Sequence, residues 1–222
     1  MTVLEELRQA VIDGQAKLAV AKVTQGLEDG QTAETLLQDG LIAAMKEVGR
    51  LFEENEIFVP EMLIAARAMN AAIAVLRPKL LEDEVRASGT VAIGTVQGDL
   101  HDIGKNLVAM MLQGSGFEVV DLGTDVEPER FVQAVRAGAD VVAMSALLTT
   151  TMTGMKQVVE AISDAGLRDK VRIVVGGAPL TASYANEIGA DGYAPDASKA
   201  VRKVREVLIG AVAGGGTADG AV

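Results

Sequence analysis

Over the first eighty residues, apolar and polar positions alternate with a helical period. Val3, Leu4, Leu7 and Val11 fall on one face of a helix over residues 2–12, which Asp13-Gly14 breaks. A second helix covers 16–27 and stops at Glu28-Asp29-Gly30. Thr32 is placed to cap a third, which carries Leu36, Leu37, Leu41, Ile42, Met45, Val48, Leu51 and Phe52. After the polar run Glu53-Glu54-Asn55-Glu56, Pro60 stands near the start of a fourth helix over 61–76, where its missing amide proton costs little. Pro78 is expected to close that helix. Four amphipathic helices joined by short turns predict a small up-and-down bundle.

From residue 90 the pattern changes. Short apolar runs at 91–95, 118–121, 141–145, 172–175 and 192–194 read as strands, and 105–113, 127–137, 152–165, 182–188 and 198–208 as helices between them. Runs such as Val141-Val142-Ala143-Met144 suit strands covered on both faces. The alternation predicts a doubly wound, five-stranded parallel sheet with right-handed crossovers. Residues 81–88, with Glu82-Asp83-Glu84, read as a charged linker. The expected division is therefore a helical domain with linker over 1–88, an α/β domain over 89–213, and a small polar tail over 214–222 expected to be disordered.

Composition narrows the function classes. Apolar residues make up 49% of the 222 but aromatics only 3%, so the cores must be built from Ala, Val, Leu, Ile and Met. The chain has no cysteine, which excludes disulfides, thiolate ligands and Cys nucleophiles, and fits a reducing cytoplasm. No secretory leader is apparent, and no apolar run near 18 residues was found, so neither secretion nor membrane spanning is expected. A net charge of −11 argues against nonspecific nucleic-acid binding and leaves a protein partner with a basic face open.

Candidate chemistry concentrates in Gly98-Asp99-Leu100-His101-Asp102-Ile103-Gly104-Lys105-Asn106. This polar loop lies between the first strand and a helix, where open α/β folds bind ligands. It holds His101, the only histidine of the chain, with carboxylates on both sides. The residues alone leave several readings open. One is a solvated turn with an incidental histidine. A nucleotide-phosphate loop is weaker, because Gly94, Gly98 and Gly104 miss the dinucleotide spacing and no Walker lysine pattern is present. A mononuclear site of Asp99, His101 and Asp102 lacks further His or Cys ligands for tight zinc binding. In the last reading His101 is an axial ligand to a metal whose other ligands come with a macrocycle, and Asp99 orients the imidazole through its other nitrogen.

Three ordered motifs carry a resemblance: Asp99-x-His101-x-x-Gly104, then Ser145-x-Leu147, then Gly176-Gly177. Together they are similar to the cobalamin-binding signature. The fuller string GDLHDIGKN resembles its methyl-transfer branch: the cobalamin-binding region of methionine synthase and the corrinoid proteins of methylamine, methanol and aryl-methyl-ether methyltransferase systems. The resemblance spans about residues 32–210 and implies a four-helix bundle cap followed by a Rossmann-like cobalamin-binding domain. It implies cobalamin as cofactor (methylcobalamin, cob(I)alamin, hydroxocobalamin or a related corrinoid), bound base-off with His101 as axial ligand to cobalt. Gly98, Asp99, Leu100 and Asp102 would then surround the lower corrin face. Ser145 and Thr149 would hydrogen-bond the nucleotide tail, with Leu147 in the second motif, Gly176 and Gly177 giving the tail room and Ala197 lining its base pocket. Thr151 stands where the family has a serine completing a relay behind histidine and aspartate. Phe52, Val59 and Met62 would shield the reactive upper face.

The function that follows is a corrinoid methyl carrier, itself non-catalytic. A substrate-specific corrinoid methyltransferase would load it, a second methyltransferase would pass the methyl group to a thiol or folate, and a reductive activator is implied. Because both methyltransferases need one cobalt face, the cap is expected to swing, with the charged linker as hinge. Nucleic acid and membrane are not expected partners. The competing classes are a cobalamin-dependent sensor or regulator, the small subunit of an adenosylcobalamin mutase, and plain storage.

Overall fold

Thr2 opens the first helix with a reciprocal cap: its hydroxyl accepts from the Glu5 amide at 3.2 Å and its own amide donates to the Glu5 carboxylate at 2.7 Å. The computed structural model describes residues 1–82 and 88–214. The helical part comprises α1 (Val3–Ile12), α2 (Ala16–Glu28), α3 (Ala33–Thr35), a π-helical stretch (Leu36–Ile42), α4 (Ala43–Glu53) and α5 (Val59–Glu82). Thr32 caps α3 as expected, accepting from the Thr35 amide at 3.1 Å.

The third helix departs from the expected regular rod. Its π-helical turn leaves the Asp39 carbonyl to accept from Arg8 Nε, and Gly40 permits α1 to approach so closely that a Cβ there would lie 2.7 Å from Leu7. The distortion buries Leu36, Leu37, Leu41 and Ile42 together. The fourth helix is also longer than expected. Pro60 is its second residue, where no donor is lost, but Pro78 does not end it: α5 continues to Glu82 with Pro78 inside. The proline forfeits one backbone bond, and its exposed position leaves room for the ring. Contrary to the expectation of no apolar run near 18 residues, Val59–Leu80 within α5 is long and apolar enough to cross a bilayer by length and composition. Its Met62, Ala65, Ala66, Ala68, Met69, Ala72 and Leu76 are fully buried, as in the core helix of a bundle.

The second part contains β1 (Thr90–Val96), α6 (Ile103–Gln113), β2 (Glu118–Val126), α7 (Pro128–Arg136), β3 (Val141–Ser145), α8 (Thr153–Asp164), a 3-10 turn (Arg168–Lys170), β4 (Arg172–Gly176), α9 (Ala182–Glu187), β5 (Gly192–Ala194) and α10 (Ala197–Gly214). The five strands form one parallel sheet in the order β2-β1-β3-β4-β5, with Thr95, Ser145 and Gly176 in register at its carboxyl edge. Its core includes Val96, Phe131, Val142, Met144, Met155, Ile162 and Ile173. Strand β2 runs five residues past the expected Asp121, to Val126, and includes Gly123 and Asp125 at positive φ. Helix α6 starts at Ile103, so the later half of the polar loop is helical.

The chain groups into two compact units. One is Met1–Ser88 with Met110–Glu118; the other is Gly89–Ala109 with the chain from Val119 onward. The centre of the expected linker, residues 83–87, and the expected tail from residue 215 lie outside the described residues.

Candidate corrinoid site

In the strand order of the sheet, β1 is the point of reversal: the chain leaves it toward β2 on one side and returns as β3 on the other. The loops after β1 and β3 therefore diverge at their carboxyl ends and leave a crevice, as in other doubly wound sheets. Asp99 and His101 come from the first loop, Leu147 and Thr151 from the second, and the topology brings all four together.

Asp99 is the centre of the arrangement. Its side chain is fully buried, and its two oxygens accept four hydrogen bonds. Oδ1 receives the His101 amide at 3.0 Å and His101 Nδ1 at 2.9 Å. Oδ2 receives the Leu147 amide and the Thr151 hydroxyl, each at 2.7 Å. Burial pushes the carboxyl upward, but the Leu147, Thr151 and His101 donors together outweigh it and hold Asp99 well below the usual carboxylate range. An ionised carboxylate only accepts, so the proton of a neutral His101 sits on Nδ1 and the lone pair on Nε2. The imidazole is 55% exposed, so Nε2 is available to a ligand. The Thr151 hydroxyl also lies 2.9 Å from the Leu148 carbonyl and can turn between the two acceptors.

The loops after β1 and β3 expose several apolar side chains beside the charged Asp102. Leu100, Ile103, Leu147 and Leu148 are all exposed, at 74, 85, 40 and 44%. Apolar side chains left exposed on the two loops that Asp99 joins suit a flat, largely apolar group. Gly104 makes the same point in another way. A Cβ added there meets nothing within 4 Å, so nothing in the protein itself requires glycine in this helical turn. Among the described residues no cluster of three or more His, Cys, Asp or Glu could hold a metal ion, so a metal at His101 has to bring its other ligands with it. The residues fit a macrocycle-bound metal.

Gly98 has φ +82° and shapes the turn before Asp99. Asp102 directly precedes α6 and accepts from Asn106 Nδ2 at 3.0 Å. Ser145 is half-buried at the end of β3, Thr149 is exposed in the loop that follows, and Ala197 is buried at the start of α10. Gly176 and Gly177 have a reason of their own within the sheet: a Cβ would lie 2.9 Å from the Ala194 carbonyl oxygen at Gly176 and 1.9 Å from that of Ala146 at Gly177. In the helical unit Phe52 is half-buried and Val59 exposed, but Met62 is fully buried and packs as core. Phe58, overlooked in the sequence, is 64% exposed and is larger than the neighbouring Val59. Thr95 was overlooked too: fully buried at the end of β1, it donates to the His101 carbonyl at 2.8 Å.

Two families described as B12 binding domain match the chain, one over residues 89–202 and one over residues 3–77. Dimethylamine corrinoid protein 2 of Methanosarcina acetivorans is 42% identical over 209 residues, 93% of this chain and 96% of that protein. Trimethylamine corrinoid protein 1 of the same organism is 42% identical over 210 residues, 93% of this chain and 97% of that protein. Among solved structures, the methanol:cobalamin methyltransferase complex MtaBC from Methanosarcina barkeri aligns with a TM-score of 0.82 at 29% identity, covering 94% of this chain and 80% of that one. With the family match over the sheet domain, relatives aligned nearly end to end, and a histidine backed by a buried carboxylate, the chain belongs to the B12-binding corrinoid proteins.

Proposed function

We propose that this chain is the methyl-carrying corrinoid subunit of a methyltransferase system, with His101 as the lower axial ligand to cobalt. The observation that carries the reading is the exposed imidazole whose Nδ1 is held by Asp99 while Nε2 stays free. Held there by His101, a corrinoid would supply the metal centre for carrying a methyl group. The protein's residues do the rest. Leu100, Ile103, Leu147 and Leu148 seat the macrocycle, and Gly104 leaves clearance for it. Asp99 orients His101 by accepting from Nδ1, and the Thr151 hydroxyl can donate to either Asp99 or the Leu148 carbonyl. Ser145 and Thr149 hydrogen-bond the nucleotide tail beside Gly176 and Gly177, and Ala197 lines the base pocket. In the helical unit the exposed Phe58 and Val59, together with Phe52, are the apolar side chains that would shield the reactive face from water.

The similarity to dimethylamine and trimethylamine corrinoid proteins supports a methylamine as methyl donor, delivered by a donor-specific methyltransferase. A second methyltransferase with a thiol or folate acceptor and a reductive activator complete the cycle, in the cytoplasm. The test is His101→Ala reconstituted with hydroxocobalamin. The variant retains corrinoid through the tail but loses the histidine-ligated visible spectrum and methyl transfer from a methylamine methyltransferase. An unchanged spectrum rejects the ligand assignment.

A further inference from the structure

Strand β2 contributes no residue to the cofactor site described above, yet two of its carboxylates reach the histidine loop from opposite ends. Asp125 Oδ1 accepts from the Gly98 amide at 2.7 Å, and the Asp125 amide donates to the Asp99 carbonyl at 3.0 Å. This two-way clamp closes on the residue that orients His101 and on its neighbour. Asp125 holds it from a left-handed conformation, φ 54°, that side-chain-bearing residues rarely adopt. At the other end of the loop, Lys105 is buried, with 2% of its side chain exposed, and its Nζ lies 2.7 and 2.6 Å from the two oxygens of Asp121. The same Nζ donates to Asn106 Oδ1 at 2.6 Å, and Asn106 Nδ2 donates to Asp102 at 3.0 Å, so the link reaches back to the residue after His101. A buried ammonium requires a partner, and the partner here is fixed in turn: Asp121 Oδ1 also accepts the Gly123 amide at 2.9 Å.

We propose that Asp125, and Asp121 acting through Lys105, are positioning residues that brace both flanks of the Gly98–Asn106 loop against β2 and so hold the Asp99–His101 pair in ligating geometry. The inference rests on the reading of His101 as the axial ligand. Among the described residues neither aspartate hydrogen-bonds the imidazole; both act through the segments that carry it.

The experiment uses the full chain without corrinoid and follows amide hydrogen exchange by NMR. The informative amides are those of His101 and Leu147, because both donate to Asp99 and neither to Asp125. Asp125→Gly removes the carboxylate while keeping the left-handed backbone easy, and is expected to speed exchange at both by about tenfold. Val142 and Val174 in the sheet interior report the stability of the fold and stay unchanged. Asp125→Asn, which keeps an acceptor and tolerates the same φ, restores slow exchange. Lys105→Met tests the other flank independently: it replaces the buried ammonium with an apolar chain, leaves the half-exposed Asp121 solvated, and is expected to loosen the same two amides. Faster exchange confined to Gly98 and Asp125, with His101 and Leu147 at wild-type rates in Asp125→Gly and Lys105→Met, overturns the brace. Hydroxocobalamin added to the wild-type chain separates the two readings: absence of a histidine-ligated spectrum refutes the axial ligand, while the exchange rates still decide the brace.

Discussion

Gly104 and Gly177 stand in the same site for opposite reasons. At Gly177 the backbone has φ +136° and a Cβ would fall 1.9 Å from the Ala146 carbonyl oxygen, so only glycine allows the ends of β3 and β4 to meet. At Gly104 a Cβ finds open space. A helical glycine without a packing reason costs the fold stability, so Gly104→Ala is expected to raise stability by about 0.5–1 kcal/mol. The added methyl intrudes on the seat beside His101, and corrinoid affinity falls about tenfold or more, as overpacking commonly costs. Urea denaturation of the corrinoid-free chain and equilibrium titration with hydroxocobalamin measure the two effects, and their opposite signs are the signature of a residue kept for a ligand. His101 stands out in the sequence because the chain has no other imidazole. Thr95, Lys105 and Asp125 do not stand out, since threonines, lysines and aspartates are ordinary in loops and at strand ends.

At the scale of elements, Asp99 fastens the loop after β1 to the loop after β3 through the Leu147 amide and the Thr151 hydroxyl. Asp99→Asn keeps the shape but puts an NH2 group where one pair of donors now finds a carboxylate oxygen. A buried donor without an acceptor costs about 1–3 kcal/mol. The pH dependence follows from the direction of the Asp99 shift. Its folded-state pKa lies well below the ordinary carboxylate value of about 3.9, so the unfolded chain binds the proton more readily. The stabilisation is complete above that value and is lost as pH falls toward the depressed pKa. Urea midpoints of wild type and Asp99→Asn are therefore expected to differ most near neutral pH and to converge below about pH 4. A gap that widens on acidification would contradict the ionised, fully bonded Asp99.

For the whole molecule, the division into two compact units makes thermal unfolding informative. A ligand at 100 times its dissociation constant stabilises the state that binds it by about 2.7 kcal/mol. Calorimetry with hydroxocobalamin is expected to raise the transition of the sheet unit by about 10 °C or more. If Phe58 and Val59 shield the cofactor, the transition of the helical unit rises with it. Movement of the sheet transition alone would leave the shielding role without support.

Much of this protein can be read from its residues in order. Helical and strand periodicity is local, so the four-rod helical region, the five parallel strands and the motif loop follow from residues near one another in sequence. Tertiary structure decided whatever depends on distant neighbours. Asp99 and Thr151 are 52 residues apart, and their hydrogen bond exists because β1 and β3 are adjacent at the reversal of strand order. The burial of Met62 in place of Phe58, the passage of α5 beyond Pro78, and the reach of Asp125 to Gly98 were settled in the same way. Propensity and periodicity act over a few residues, whereas burial and the pairing of polar groups belong to surfaces that only the folded chain brings together.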